Sequence, residues 1–222
     1  MQTNHSSIIS LVPAVFACVA FICGLSGGIW CKFLKFTSET AVGDDVTVEF
    51  GIWYYQWWSI VDTAVQGPVM YQSCHEYPDY VSIDSKWKSA RAFSVMALII
   101  GGIVLFMNLL AGCMFPAKKV YRLGAVSYLF CCLFQGLSLL LLDSNACNNN
   151  AMVDELEKSF SNLEFPDTCS MGSGAKCTIA ATVFWFVAGA SAMKVNPPEL
   201  DAYSQHVLDS ERKNNVVTEP LL

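Results

Sequence analysis

The sequence predicts a mostly α protein, a four-helix transmembrane bundle carrying a small exoplasmic antiparallel β-sheet from its first long loop. Three observations carry that expectation. Only 14% of the 222 residues are charged, where a soluble domain carries about a quarter. Four long stretches contain no Asp, Glu, Lys or Arg, at residues 8–30, 92–117, 123–142 and 177–193. Between the first two lies a segment whose side chains alternate at the period of a strand.

The first element is a span over residues 8–30, whose 23 uncharged residues make a helix of about 34 Å, enough to cross a hydrocarbon core. A secretory signal peptide is the competing reading. The leader MQTNHSS has no Lys or Arg, and the apolar run exceeds a signal's hydrophobic region, so the helix is expected to be retained. The remaining layout is an exoplasmic loop at 31–90, a second span at 91–115, a turn at 116–121 and a third span at 122–142. A second outer loop at 143–175, a fourth span at 176–193 and a disordered polar tail at 194–222 complete it. The tail ends Glu219-Pro220-Leu221-Leu222, without the spacing of an acidic dileucine sorting signal.

Orientation follows from charge. The turn between spans two and three carries Lys118, Lys119 and Arg122 and no acid, which places it in the cytoplasm by the positive-inside rule. Both termini are then cytoplasmic, in a plasma membrane or endomembrane. Residues 31–89 hold eight acids and four bases, and residues 143–175 hold six acids and one base, so both outer loops are acidic. The Asn4-His5-Ser6 sequon then lies on the side where it is not glycosylated. Of the ten Cys, Cys18, Cys23, Cys113, Cys131 and Cys132 lie within spans, whereas Cys31, Cys74, Cys147, Cys169 and Cys177 lie in or beside the outer loops. Disulfides in an oxidising compartment are distributed this way.

Within the spans, Gly24 with Gly28, Gly101 with Gly102, and Ala188 with Ala192 predict close helix packing. Asn108 and Gln135 are the strongly polar side chains well inside the spans, and interhelical hydrogen bonds are expected of them. No Asp, Glu, Lys, Arg or His lies mid-span, which argues against a charged or proton-relay pathway.

In the first loop, VTVEFGIW puts Val46, Val48, Phe50 and Ile52 on one face and Thr47, Glu49 and Trp53 on the other, as a half-buried strand does. Gly51 marks a close approach of backbone, and a second strand at Pro68–Ser73 is expected to pair with it. Six of the nine residues 50–58 are aromatic. A sheet held at the headgroup level accounts for them, with Trp53, Tyr55 and Trp57 turned to span ends or lipid.

Trp30 at the end of span one, Gly51-Ile52-Trp53 in a loop-one strand, Cys74 later in that loop and Arg91 at the foot of span two resemble the claudins. Their wider superfamily includes the peripheral myelin protein and calcium-channel gamma subunits. The resemblance implies a non-enzymatic structural or adhesive role for the outer domain, through self-association in cis or trans within its bilayer. An auxiliary subunit of a channel or transporter is the second implied role, and a small transporter the third. Departures are visible. Claudins place a Cys three residues after the motif Trp, where this chain has Gln56, and the second loop here carries three Cys. With Cys31 reduced, Cys74, Cys147, Cys169 and Cys177 allow three connectivities, of which Cys147–Cys177 with Cys74–Cys169 is favoured.

The chemistry of several enzyme classes is missing. There is no CxxC, GxSxG, HExxH or P-loop, and His5, His75 and His206 all lie outside the spans. His75 between Cys74 and Glu76 does not make a tetrahedral site alone, and the loop acids Asp143, Asp154, Glu155 and Glu157 read as a hydrated surface. No enzymatic activity, cofactor, metal or nucleic-acid partner is expected.

Overall fold

The computed structural model describes residues 3–39, 45–63, 67–111, 118–159 and 164–194. The expected tail after Lys194 and the first two residues of the turn expected at 116–121 lie outside them, while residues 118–121 of that turn begin a helix.

Long apolar segments fold as helices because hydrocarbon offers no partner for backbone N–H and C=O groups. Four such helices form: α1 (Thr3–Ile29), α2 (Ser85–Ala111), α3 (Lys118–Leu137) and, last in the chain, α5 (Ser173–Lys194). The third runs on as a 3-10 helix over Ser138–Asp143. All four are long and apolar enough to cross a membrane. Side-chain distribution supports that placement, because it is inverted relative to a water-soluble core. Ala17, Ala20, Ala97, Ala125, Ala181 and Ala188 are buried, while Val15, Ile22, Ile99, Phe106, Leu123 and Phe186 are more than half exposed. Bulky apolar groups outward and small ones inward suit helices whose outer surface meets lipid. The chain is therefore an integral membrane protein.

In the bundle α5 packs against both α1 and α3, and α2 closes the ring against α1 and α3. A Cβ on Gly101 would come within 2.5 Å of the Trp185 ring, and one on Gly27 within 2.4 Å of Thr178 Oγ1. Gly24 faces Gln135, Gly28 faces Ser94 and Gly102 faces Phe21. Trp185, seated over Gly101, stacks on Tyr128 at 5.5 Å. The Asn108 amide donates to the Tyr128 hydroxyl, an α2–α3 bond. Gln135 is fully buried beside Gly24, and its Oε1 accepts no hydrogen bond.

The cap is a five-stranded antiparallel sheet in the order β4-β3-β2-β1-β5. Its strands are β1 (Leu34–Glu39), β2 (Asp45–Phe50), β3 (Tyr54–Thr63), β4 (Gly67–Glu76) and β5 (Ser170–Met171). The strand expected at 46–53 ends instead at Phe50, because the chain turns through Gly51-Ile52-Trp53. Its neighbours also differ from expectation. β2 pairs along its length with β1, Leu34 opposite Phe50, and meets β3 through Phe50 opposite Tyr55. β4, which contains Pro68–Ser73, pairs with β3 from Tyr54↔Glu76 to Thr63↔Gly67.

Beneath the sheet, Phe33, Leu34, Phe36, Val48, Phe50 and Ile52 form one core with Trp87, Leu141, Met152, Val153 and Phe165. The second loop supplies much of that floor through a short amphipathic helix, α4 (Ala151–Ser159). Asn150 begins it, its Oδ1 accepting from the Met152 amide at 3.0 Å. Of the three aromatic residues expected at span ends or lipid, Tyr55 packs against this core instead, while Trp53 and Trp57 remain over a third exposed.

Asp84 joins the two layers. Its Oδ1 accepts from the Trp87 amide at 2.8 Å, capping α2, and its Oδ2 accepts from the Asn145 amide of the second loop at 3.1 Å. Asp84→Ala removes both bonds at once, and a lost cap alone costs about 1 kcal/mol. A destabilisation of about 2 kcal/mol, read as a lower melting midpoint in detergent, is expected.

The cysteine pairing corrects the sequence expectation. Cys31 bonds Cys74 and Cys147 bonds Cys169, with Cα–Cα distances of 5.8 and 4.8 Å. Cys177 is a free thiol. It lies in the second turn of α5, past the point where the loop has ended, whereas Cys169 donates its amide to the Cys147 carbonyl at 3.1 Å. Cys74 reaches Cys31 because the β3–β4 ladder sets it opposite Gln56, close to where the chain leaves α1.

Candidate functional site

The residues singled out as a motif converge where the sheet meets α2. Gly51 makes the first contact. Its amide donates to the Tyr54 carbonyl at 2.7 Å, and the Phe33 amide donates to the carbonyl of neighbouring Phe50 at 2.8 Å. A Cβ on Gly51 would lie 2.4 Å from the Trp30 carbonyl oxygen and 2.8 Å from the Cys31 Cα, so the chain leaving α1 passes directly against it. Trp30 itself contributes backbone here, and its indole is 52% exposed at the end of the span, suited to an interfacial anchor.

Ile52 is the second contact. Its side chain is fully buried, while its carbonyl accepts two hydrogen bonds from α2, from Arg91 Nε at 2.9 Å and Trp87 Nε1 at 3.0 Å. Trp53 then lies over the arginine, with the guanidinium carbon 4.8 Å from the ring centroid. Trp87 and Tyr77 hold the same cation at 5.4 and 5.8 Å. Tyr77 closes the ring edge-on to Trp87 at 4.8 Å and donates its hydroxyl to the Gly51 carbonyl at 2.7 Å. Sequence reading picked out Gly51, Ile52, Trp53 and Arg91 but missed Tyr77 and Trp87. Their only signal was indole and phenol groups near the start of an apolar run, where aromatic residues are common for other reasons.

Beside this corner opens a cleft of about 370 Å³ lined by Trp53, Tyr54, Glu76, Tyr77, Asp79 and Arg91, with Pro78, Val81 and Ile83 behind. Among the described residues Arg91 has no carboxylate within salt-bridge distance. The ion pairs of the cap are Lys32 with Glu49 at 3.2 Å and Lys86 with Asp143 at 2.6 Å, both surface pairs of small energetic worth.

Burial pushes the Tyr77 phenol far above the ordinary tyrosine range, an effect that Arg91 and the Gly51 hydrogen bond only partly oppose. The folded cap thus favours neutral Tyr77. That contribution is complete below the unfolded tyrosine pKa of about 10 and is lost as pH rises beyond it. Near-ultraviolet circular dichroism is expected to show the cap loosening above about pH 10, and Tyr77→Phe to blunt that loss. Trp53→Ala removes one ring of three from Arg91 and leaves both bonds to the Ile52 carbonyl. A loss of about 1 kcal/mol is expected, read as a slightly lower melting midpoint in detergent with the fold retained.

No three His, Cys, Asp or Glu side chains cluster as a metal site among the described residues. The arrangement offers one half-buried cation, an aromatic enclosure and an acidic rim, which suits binding and fold anchoring. No protein-family model matches the chain, and no curated protein matches it closely enough to be counted as a relative.

Proposed function

We propose that this protein is a non-enzymatic, claudin-like membrane-organising or adhesive protein that acts through its sheet cap. The observation that carries the reading is the anchored corner, in which Gly51, Ile52 and Trp53 are tied to Arg91 at the foot of the second span. A cap fixed in this way to its bundle can transmit lateral or opposed contacts without tilting on a flexible stalk. On the proposed topology the cap is exoplasmic and both termini are cytoplasmic, as Lys118, Lys119 and Arg122 favour. The two outer loops then present a net charge of −9, from −4 over residues 31–89 and −5 over residues 143–175. Such a face would favour cations in any passage it lined.

Crosslinking in the native membrane, followed by identification of the products, tests the role. Ladders of the chain with itself support the proposal. A stoichiometric channel or transporter partner would replace it with an auxiliary-subunit role, and conductance of the purified protein in planar bilayers with a transporter role. Topology is tested separately by acceptor sequons inserted near the β3–β4 connection and in the tail. Glycosylation of the tail site alone would reverse the orientation.

A further inference from the structure

Arg91 spends one guanidinium N–H group on the Ile52 carbonyl, yet it carries five. Among the described residues no other hydrogen bond is made by that side chain, and no carboxylate lies within 4.0 Å of it. It also lines an open cleft. A half-buried cation with unused donors facing a cleft is suited to an anion.

Depth indicates which anion. Arg91 is the last charged residue before 26 uncharged ones, which puts its guanidinium at the boundary of the hydrocarbon, where phospholipid phosphates lie. The other charges of the cleft, Glu76 and Asp79, are exposed and precede α2 in the chain, whereas Arg91 lies six residues into that helix, about 9 Å along its axis from Ser85. The cleft therefore joins a half-buried cation at the edge of the span to two exposed carboxylates. A phosphocholine or phosphoethanolamine headgroup has the complementary order, phosphate nearest the acyl chains and ammonium outermost. Tyr54 adds an aromatic ring to the lining, a favourable neighbour for an ammonium. A purely anionic headgroup would meet the two carboxylates with no compensating cation of its own.

We propose that this cleft binds the headgroup of a zwitterionic phospholipid, its phosphate on the Arg91 guanidinium and its ammonium against Glu76 and Asp79. The lipid would then be a structural ligand between sheet and second span, independent of whether the cap serves adhesion.

Native mass spectrometry of the full chain in an uncharged detergent tests this with three probes: dihexanoyl-phosphatidylcholine, dihexanoyl-phosphatidylglycerol and free phosphocholine. One saturable phosphatidylcholine adduct is expected, bound about tenfold more tightly than phosphatidylglycerol or phosphocholine. The Glu76→Gln/Asp79→Asn double variant changes only exposed side chains and should retain the parent melting midpoint. It is expected to bind phosphatidylcholine about tenfold more weakly, and Arg91→Lys to weaken all phosphate-bearing probes. Equal retention of phosphatidylglycerol, or unchanged binding by the double variant, would overturn the zwitterion assignment. Equal binding of phosphocholine would overturn the lipid assignment, and the absence of a saturable adduct would overturn the site.

Discussion

Gly51→Ala is expected to unfold the cap outright. The added methyl would lie 2.4 Å from the Trp30 carbonyl oxygen and 2.8 Å from both the Cys31 Cα and the Tyr54 carbonyl oxygen. All three are backbone atoms, so no side chain can rotate away to make room. Relief requires moving the chain that leaves α1, and with it the disulfide at Cys31 and the strand that follows. The same shift disturbs the Gly51 amide and carbonyl, which bond Tyr54 and Tyr77. Overpacking in a close-packed site costs about 1–3 kcal/mol, and the broken hydrogen bonds add about 1 kcal/mol each. A loss of about 4 kcal/mol would remove most of the margin of an ordinary domain. Thermal melts in detergent check this, with Gly136→Ala as the control. There the nearest atom to an added Cβ is a Thr182 methyl at 3.7 Å, and the midpoint should stay within a few degrees.

Loss of the Cys31–Cys74 bond is the second large effect. It closes a separation of 43 residues, and the chain-entropy estimate for a loop of that size is about 4 kcal/mol. The bond ties the sheet's far pair of strands to the end of α1, while β2 and β3 meet through a single residue pair, Phe50 opposite Tyr55. Cys31→Ser or Cys74→Ser is therefore expected to free the β3–β4 ladder first, read as proteolysis within residues 54–76 while the bundle stays resistant. The Cys147–Cys169 bond closes 22 residues, worth about 3.5 kcal/mol on the same scale, and its loss should expose α4. Peptide mapping without reduction checks the pairing itself. Cys177 should alkylate freely in denaturant, and a Cys147–Cys177 peptide would overturn the assignment.

Alkaline loosening through Tyr77 and the Asp84 cap act on the same junction from opposite sides. Tyr77 holds the turn at Gly51, and Asp84 holds the second loop at Asn145. Combining Asp84→Ala with Tyr77→Phe should depart from the sum of the separate losses, because both residues contact Trp87, Asp84 at its backbone amide and Tyr77 at its ring.

How far the site was readable varies residue by residue. Gly51 was legible because a glycine inside an otherwise β-branched and aromatic strand has few purposes other than close approach. Trp53 and Arg91 stood out by type and position. Tyr77 and Trp87 did not, since nothing in their sequence neighbourhood distinguishes a ring that encloses a cation from one that lies in the interface. Cys31 was assigned to the membrane edge as a reduced thiol for a comparable reason. It sits at the end of an apolar run, and only the path of the chain past Gly51 brings it to Cys74.

The sequence by itself determined the four spans and the acidic loops between them, and that a strand crosses residues 46–50. Helices in hydrocarbon satisfy their own backbone, so composition along a line is enough to place them. Tertiary structure alone decided which strands pair, which cysteines bond and which side chains enclose Arg91. Each of these depends on residues distant in the chain meeting in space, as when Leu34 lies opposite Phe50 and Cys31 reaches Cys74. Local periodicity carries no record of such meetings, because they are set by packing between elements and not by the spacing within one.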